Sequence, residues 1–339
     1  KTPHSSAWTY SHELGRRHLE QTFPNEVTTV SYENVTEKNI ASAMEEAIHA
    51  GCNIIFTTTP TFAQESLRAA ITHPEVRILN CSLNTTHRYI RTYYTRMHEA
   101  KFLMGAIAGE MAENDKIVYI ADYPILGTIA QINAFALGAQ MTNPRAKVYL
   151  EWSTLKEQDI EKRIDEIDPN CISGKDIIVP DDNNHFYGVY HRESGGGEQK
   201  NLAMPLCHWG KFYEELIRII MAGNWEQDND VEKAINYWWG MPTGVVDVIC
   251  SKKLPAGTVR LVNVLKHNYK TGQFHTFTDQ MYAQGHILKE KKGETLSPEE
   301  VIEMDWLAEN IIGRIPKIEE LQEQAKPVLT QQGIETRKG

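Results

Sequence analysis

Gly51-Cys-Asn-Ile-Ile-Phe-Thr-Thr-Thr59 carries an apolar centre too short for a helix and rich in β-branched and aromatic residues. Residues 53–58 are therefore predicted as a buried strand. Ahead of it, Ile40, Met44, Ala47 and Ile48 recur at helical spacing over residues 39–50, and Gly51 suits the left-handed position that closes a helix. On the other side, residues 62–71 read as helix and 76–80 as strand. The alternation continues with a helix over 98–112, whose Ala100, Gly105, Ala106, Ala108 and Gly109 permit close packing, and a strand over 117–121. Then come a helix over 128–141, a strand over 148–152, a helix over 155–167 and strands over 176–179 and 202–206. A strongly amphipathic helix over 209–222 closes the series. Strands alternating with helices build parallel sheets with helices on both faces, so the expected fold is doubly wound α/β.

At 339 residues the chain exceeds one ordinary core, and two lobes are expected. The two series meet near residues 113–116. The expected division is residues 1–113 plus about 245–290 in lobe 1, 114–244 plus about 291–325 in lobe 2, and a tail over 326–339. In open α/β sheets ligands bind beyond the carboxyl ends of the strands, which directs attention to loops 57–63, 80–87, 121–128 and 179–185. Ser297-Pro-Glu-Glu300 is a helix start, with serine as cap, proline in the first turn and glutamate placed for the return bond. That helix is predicted to carry Met304, Leu307, Ala308 and Ile311 and to stop at Gly313, with a second helix over 317–330 interrupted by Pro327.

A net charge of −10 argues against a nucleic-acid surface, which needs clustered lysine and arginine. No apolar run reaches the length of a membrane span. Lys1 opens on a turn-like Pro-His-Ser-Ser stretch, so the chain is expected to be trimmed at its start. Five scattered cysteines leave at least one free thiol, which favours a reducing compartment, and their spacing fits no zinc site. No dinucleotide fingerprint, phosphate loop, HExxH or GxSxG string occurs, and nothing calls for a cofactor, a metal or a catalytic residue. Gly195-Gly-Gly197 lacks the strand–turn–helix context of a phosphate loop and reads as a surface loop. Asp181-Asp182 follows a strand; it reads as a solvated turn or as a hydrogen-bond acceptor for a ligand. Trp8 and Trp209 stand at element ends. Such aromatics are either core anchors or platforms that stack on a flat ligand, the latter contributing about 1–3 kcal/mol.

Several strings, in order, resemble the basic-membrane-protein family, the substrate-binding components of nucleoside-type ABC transporters. They are Ala7-Trp-Thr-Tyr-Ser-His-Glu-Leu-Gly15, Gly51 to Thr59, Tyr93 through Arg96 and Glu99 to Gly109, and Ile132-Asn-Ala-Phe-Ala-Leu-Gly-Ala139 with Asn143-Pro144. Further along come His208-Trp-Gly-Lys-Phe-Tyr213, Trp238-Trp-Gly-Met241 and Met304-Asp-Trp306 with Gly313. The resemblance implies a type I periplasmic-binding clamshell that closes by hinge motion on a purine base or nucleoside, with no catalysis. By position it implies Trp8 stacking on one face of the base, Trp209 on the opposite face from the other lobe, and Thr59, Phe62, Asp122 and Asp181 or Asp182 lining the cleft. It further implies a small-molecule ligand, an ABC permease as partner, and a lipid-anchored place at the cell surface or in the periplasm. The alternative is a ligand-sensing domain of the same fold in a longer cytoplasmic regulatory protein.

Overall fold

The computed structural model describes residues 2–4, 6–83, 89–177, 185–225, 235–290 and 293–334. The chain divides into two compact units. The first holds residues 1–95 and 207–239, and the second holds 96–178, 183–206 and 240–339. These bounds depart from the expected division. Residues 207–239 return to the first unit, where 237–239 pairs with 93–95, while 96–113 and 245–290 fall in the second, the helix over 97–111 packing on that over 128–142.

In the first unit the chain forms α1 (Ala7–Thr22), α2 (Ile40–His49), β1 (Ile54–Thr57), α3 (Ala63–Thr72), β2 (Arg77–Cys81) and β3 (Arg91–Thr95). The second unit begins with α4 (Met97–Met111), β4 (Lys116–Ala121), α5 (Thr128–Thr142), β5 (Lys147–Trp152), α6 (Ile160–Ile167), β6 (Cys171–Ser173), β7 (Val189–Arg192) and β8 (Gln199–Cys207). The first unit is completed by α7 (Trp209–Met221) and β9 (Tyr237–Trp239). The second ends with β10 (Val246–Cys250), α8 (Ala256–Lys270), β11 (Met281–Ala283), β12 (Ile287–Glu290), α9 (Pro298–Ile302), β13 (Ile311–Ile312) and α10 (Lys326–Gln332).

The first unit's sheet runs β1-β2-β3-β9, with every pair parallel. Its helices present one apolar face each: Ile40 and Met44 of α2 and Ala69 and Ala70 of α3 bury against Val76 and Ile78. The second unit's sheet runs β10-β8-β7-β6-β4-β5-β13. Its β13-β5-β4-β6 portion is parallel, and β7 and β8 extend it from β6 as an antiparallel edge. The small residues of α4 serve the close packing expected of them. A Cβ on Gly105 would lie 1.9 Å from the carbonyl oxygen of Phe135, and one on Gly138 2.0 Å from that of Phe102.

Three expectations need correction. The strand expected over 176–179 is instead β6 at Cys171–Ser173, which pairs with β4; residues 178–179 lie outside the described residues. The helix expected to run from Ser297 to Gly313 ends at Ile302, although its capping box forms as predicted. Met304, Leu307, Ala308 and Ile311 are all buried, the first three in an irregular segment and Ile311 in β13. Asn133 of α5 substitutes for helical bonds there: its Nδ2 donates to the carbonyl of Trp306 (2.7 Å) and its Oδ1 accepts from the Ala308 N–H (2.9 Å). Pro327 does not interrupt a helix but lies in the first turn of α10, where its missing N–H costs nothing.

Candidate functional site

Four parallel strands put the carboxyl ends of β1, β2, β3 and β9 on one edge of the first unit's sheet, the edge where open α/β sheets take ligands. Trp8 is fixed there. Ser6 caps α1 by accepting the Thr9 N–H, which sets Trp8 in the first turn. The Trp8 indole Nε1 then donates to the carbonyl of Thr58, 2.5 Å away, just past β1. Its ring is half-buried and lies nearly parallel to that of Tyr94, at 26° with centroids 6.0 Å apart.

Trp209 occupies a different place from the one expected. It belongs to the same unit as Trp8, meets it edge-on, and is 1% exposed. The expectation that the two indoles face each other from separate lobes is therefore corrected. The reason is α7, which packs on α1 so tightly that a Cβ on Gly15 would sit 2.9 Å from Trp209 Cβ and from the Tyr213 ring. Trp209 stacks on His12, with centroids 4.2 Å apart, and His12 Nδ1 hydrogen-bonds the Tyr213 hydroxyl at 2.5 Å. That hydroxyl lies 3.3 Å from the Tyr93 hydroxyl. The result is an aromatic shelf behind Trp8. Burial pushes the His12 imidazole down to about 3, so it is neutral at physiological pH.

Thr59 caps the short turn Pro60–Phe62 and is anchored from β2: Asn80 Nδ2 donates to both the Thr59 carbonyl and Thr57 Oγ1, each at 2.8 Å. Asn80 Oδ1 and Ser82 Oγ are buried without a hydrogen-bond partner among the described residues. Sequence reasoning marked loop 80–87 but missed these two side chains; an Asn and a Ser flanking a cysteine at a strand end were the available signal. Phe62 packs against the cluster of Ile40, Met44, Ala69, Ala70, Val76 and Ile78, so its ring is engaged between helices and sheet.

In the second unit Asp122 follows β4 and is exposed. Its carboxylate accepts from the Ser153 hydroxyl, and its carbonyl accepts from the Thr154 hydroxyl. Asp181 and Asp182 lie outside the described residues. A cluster the sequence did not announce is Lys101 of α4, buried and paired with Asp176 at 2.6 Å, with its ammonium 5.2 Å from the centre of the Tyr119 ring. Burial alone would lower the lysine, but Asp176 and Tyr119 outweigh it and hold it charged. Among the described residues no group of three or more His, Cys, Asp or Glu is placed to hold a metal ion. No helix there is long and apolar enough to cross a membrane.

Two α/β units with parallel-rich sheets define a solute-binding-protein fold. A solute-binding protein of an ABC transporter system from Conexibacter woesei DSM 14684 matches with a TM-score of 0.58 at 10% identity, over 81% of this chain and 95% of that one. A crystal structure of a transcriptional activator of the comK gene from Bacillus halodurans matches with a TM-score of 0.60 at 16% identity, over 79% and 95%. At such identities both likenesses concern the fold alone. The model of the PnrA-like ABC transporter substrate-binding proteins, Bmp, matches residues 2–193, more than half of the chain, and the protein belongs to that family. Its members are the substrate-binding, non-catalytic components of their transporters, so this chain is not an enzyme. A purine-binding protein of Brucella abortus strain 2308 is 25% identical over 327 residues, 93% of this chain and 91% of that one. A protein of Haloferax volcanii described as a candidate ABC transporter glucose-binding protein is 26% identical over 250 residues, 70% of this chain and 62% of that one.

Proposed function

We propose that this protein binds a purine base or nucleoside for an ABC uptake system, using the indole of Trp8 as the stacking wall. The observation that carries the reading is the Trp8–Thr58 hydrogen bond, which fixes a half-buried indole at the carboxyl edge of a parallel sheet, nearly parallel to Tyr94. A π-face held rigid before binding contributes to affinity without an ordering cost. Asn80 Oδ1 and Ser82 Oγ are polar atoms at the same edge with bonding capacity to spare, suited to the donors of a purine rim. The likeness to the Brucella purine-binding protein, along nearly the whole of both chains, supports the same ligand class. Thr59 and Asp122 remain proposed lining residues, Trp209 a support for Trp8, and Phe62 a structural residue near that edge. Asp181 and Asp182 belong to the proposal on sequence grounds only.

Ligand-dependent closure, an ABC permease partner and a lipid-anchored, extracytoplasmic location complete this reading. A second reading, a sensor domain of a regulatory protein, is favoured by the fold likeness to the Bacillus activator. A thermal-shift panel of adenine, adenosine, guanosine, inosine and glucose tests the ligand class, since a ligand that binds only the folded chain raises its melting temperature. Purines are expected to raise it and glucose to leave it unchanged. A rise with glucose alone overturns the purine assignment.

A further inference from the structure

β3 and β9 leave the first unit's sheet side by side. Their last residues, Thr95 and Trp239, are ladder partners, and one residue later, at Arg96 and Gly240, the chain belongs to the second unit. Among the described residues the one other passage between the units is at 206–207. There the Cys207 thiol donates to Thr95 Oγ1 at 3.9 Å.

On the second unit's side one side chain, Glu99 of α4, holds both arrivals. Its Oε1 lies 3.0 Å from Arg96 Nε, and its Oε2 accepts the Met241 N–H at 2.6 Å. A Cβ on Gly240 would stand 2.4 Å from Oε2 and 2.8 Å from Arg96 Nε, so only glycine lets the backbone and the carboxylate approach this closely. The Glu99 side chain is 7% exposed. Burial pushes its carboxyl up, and Arg96 and the Met241 N–H oppose that. A buried ion pair stabilises a fold no better than well-packed apolar side chains often do, so its value lies in the geometry it fixes. Met241 is itself fully buried, so what Glu99 ties to it is tied to the core of the second unit.

We infer that Glu99 is a positioning residue for ligand binding: it holds Arg96 and Met241 as one body with α4 and so confines the bending of closure to the Thr95–Arg96 and Trp239–Gly240 steps. The inference rests on the ligand-dependent closure proposed above. Closing motions are absorbed by a few residues at element ends. Here the first unit's ladder ends at one residue and the carboxylate takes hold at the next, which leaves a short pivot on each of two adjacent chains. Without Glu99 the pivots lengthen and the ligand-free protein samples more orientations. The fraction competent to close on ligand falls, and apparent affinity falls by the same factor.

The test combines single-molecule energy transfer with stopped-flow binding of adenosine. Dyes are carried on non-canonical residues replacing Glu37 and Lys162, exposed positions of the first and second units. Glu99→Gln keeps the shape of the side chain and removes its charge. It is expected to broaden the inter-dye distance distribution of the ligand-free protein and to weaken adenosine binding about tenfold, the loss falling on the association rate. A role in stability alone would lower the melting temperature and leave the distribution and the association rate of the folded protein as they are. Arg96→Gln, at a side chain 30% exposed, keeps the Met241 bond; it is expected to act in the same direction and serves if Glu99→Gln does not fold. A native distance distribution in the folded variant overturns the inference, and so does a broadened one with a native association rate. If adenosine does not bind the native chain, the ligand reading fails and the distance distribution alone decides whether Glu99 confines the pivots.

Discussion

The indole of Trp8 meets that of Trp209 edge-on, with ring centroids 5.8 Å apart and planes inclined at 77°, inside a single unit of the chain. One tryptophan is half-buried and the other fully enclosed, so the two substitutions to alanine should separate binding from folding. Trp209→Ala removes a ring at 1% exposure, packed on His12, Phe212 and Tyr213, and is expected to destabilise by about 3–5 kcal/mol in chemical denaturation. Trp8→Ala is expected to cost much less stability.

Acid should destabilise the fold through two buried histidines, one in each unit. Burial pushes both His12 and His98 down to about 3, with Arg96 adding to the effect on His98. Unfolded histidine takes up its proton near pH 6.5, so between that pH and about 3 the unfolded chain binds more protons than the folded one. Their contribution is complete above pH 6.5 and is lost as pH falls, at up to about 1.4 kcal/mol per pH unit for each histidine. Urea denaturation at pH 7, 6 and 5 checks this. His12→Gln and His98→Gln should each reduce the slope.

Two glycines should respond to alanine with opposite signs. Gly105→Ala drives a Cβ to 1.9 Å from the Phe135 carbonyl oxygen, so α4 and α5 must separate; a loss of about 3 kcal/mol, at the severe end for overpacking, is expected. Gly257 in α8 has nothing within 4 Å of the new Cβ and no left-handed backbone. Gly257→Ala should stabilise by about 0.5–1 kcal/mol, because only the unfolded chain loses freedom. Melting temperatures of the two variants decide the point.

The ion pair between Lys101 and Asp176 is lopsided. The lysine side chain is 3% exposed and the aspartate 28%. Asp176→Asn strands a charge in the interior and is expected to cost about 3 kcal/mol, the lower end for a broken buried pair, because the partner is partly solvated. Lys101→Met leaves only a semi-exposed carboxylate and should cost less. The order of the two denaturation midpoints is the readout.

Much of the fold was legible because its signals are local. The runs that became β1, β2, β4 and β5 are apolar segments bounded by turn residues, and Ile40, Met44 and Ala47 announce α2 by spacing alone. What escaped depends on partners far along the chain. Cys171-Ile-Ser173 is too short to declare itself a strand, and it forms because β4 and β7 flank it. Met304, Leu307, Ala308 and Ile311 have helical spacing, yet Asn133 captures the backbone between them. Tyr237–Trp239 pairs with β3 from the other end of the sequence, which carries α7, and Trp209 with it, into the first unit. Trp8 could be singled out from its place at the head of α1, but its bond to Thr58 and its alignment with Tyr94 arise only on folding.

Calorimetric titration of adenine and adenosine into the native chain and into Trp8→Ala tests most directly whether this edge of the sheet holds a planar ring. Saturable binding to the native chain is expected, weakened in the variant by about 1–3 kcal/mol, the range for loss of one stacked aromatic. Unaltered purine affinity in a folded Trp8→Ala protein would contradict the stacking role, and absence of purine binding to the native chain would contradict the ligand assignment itself.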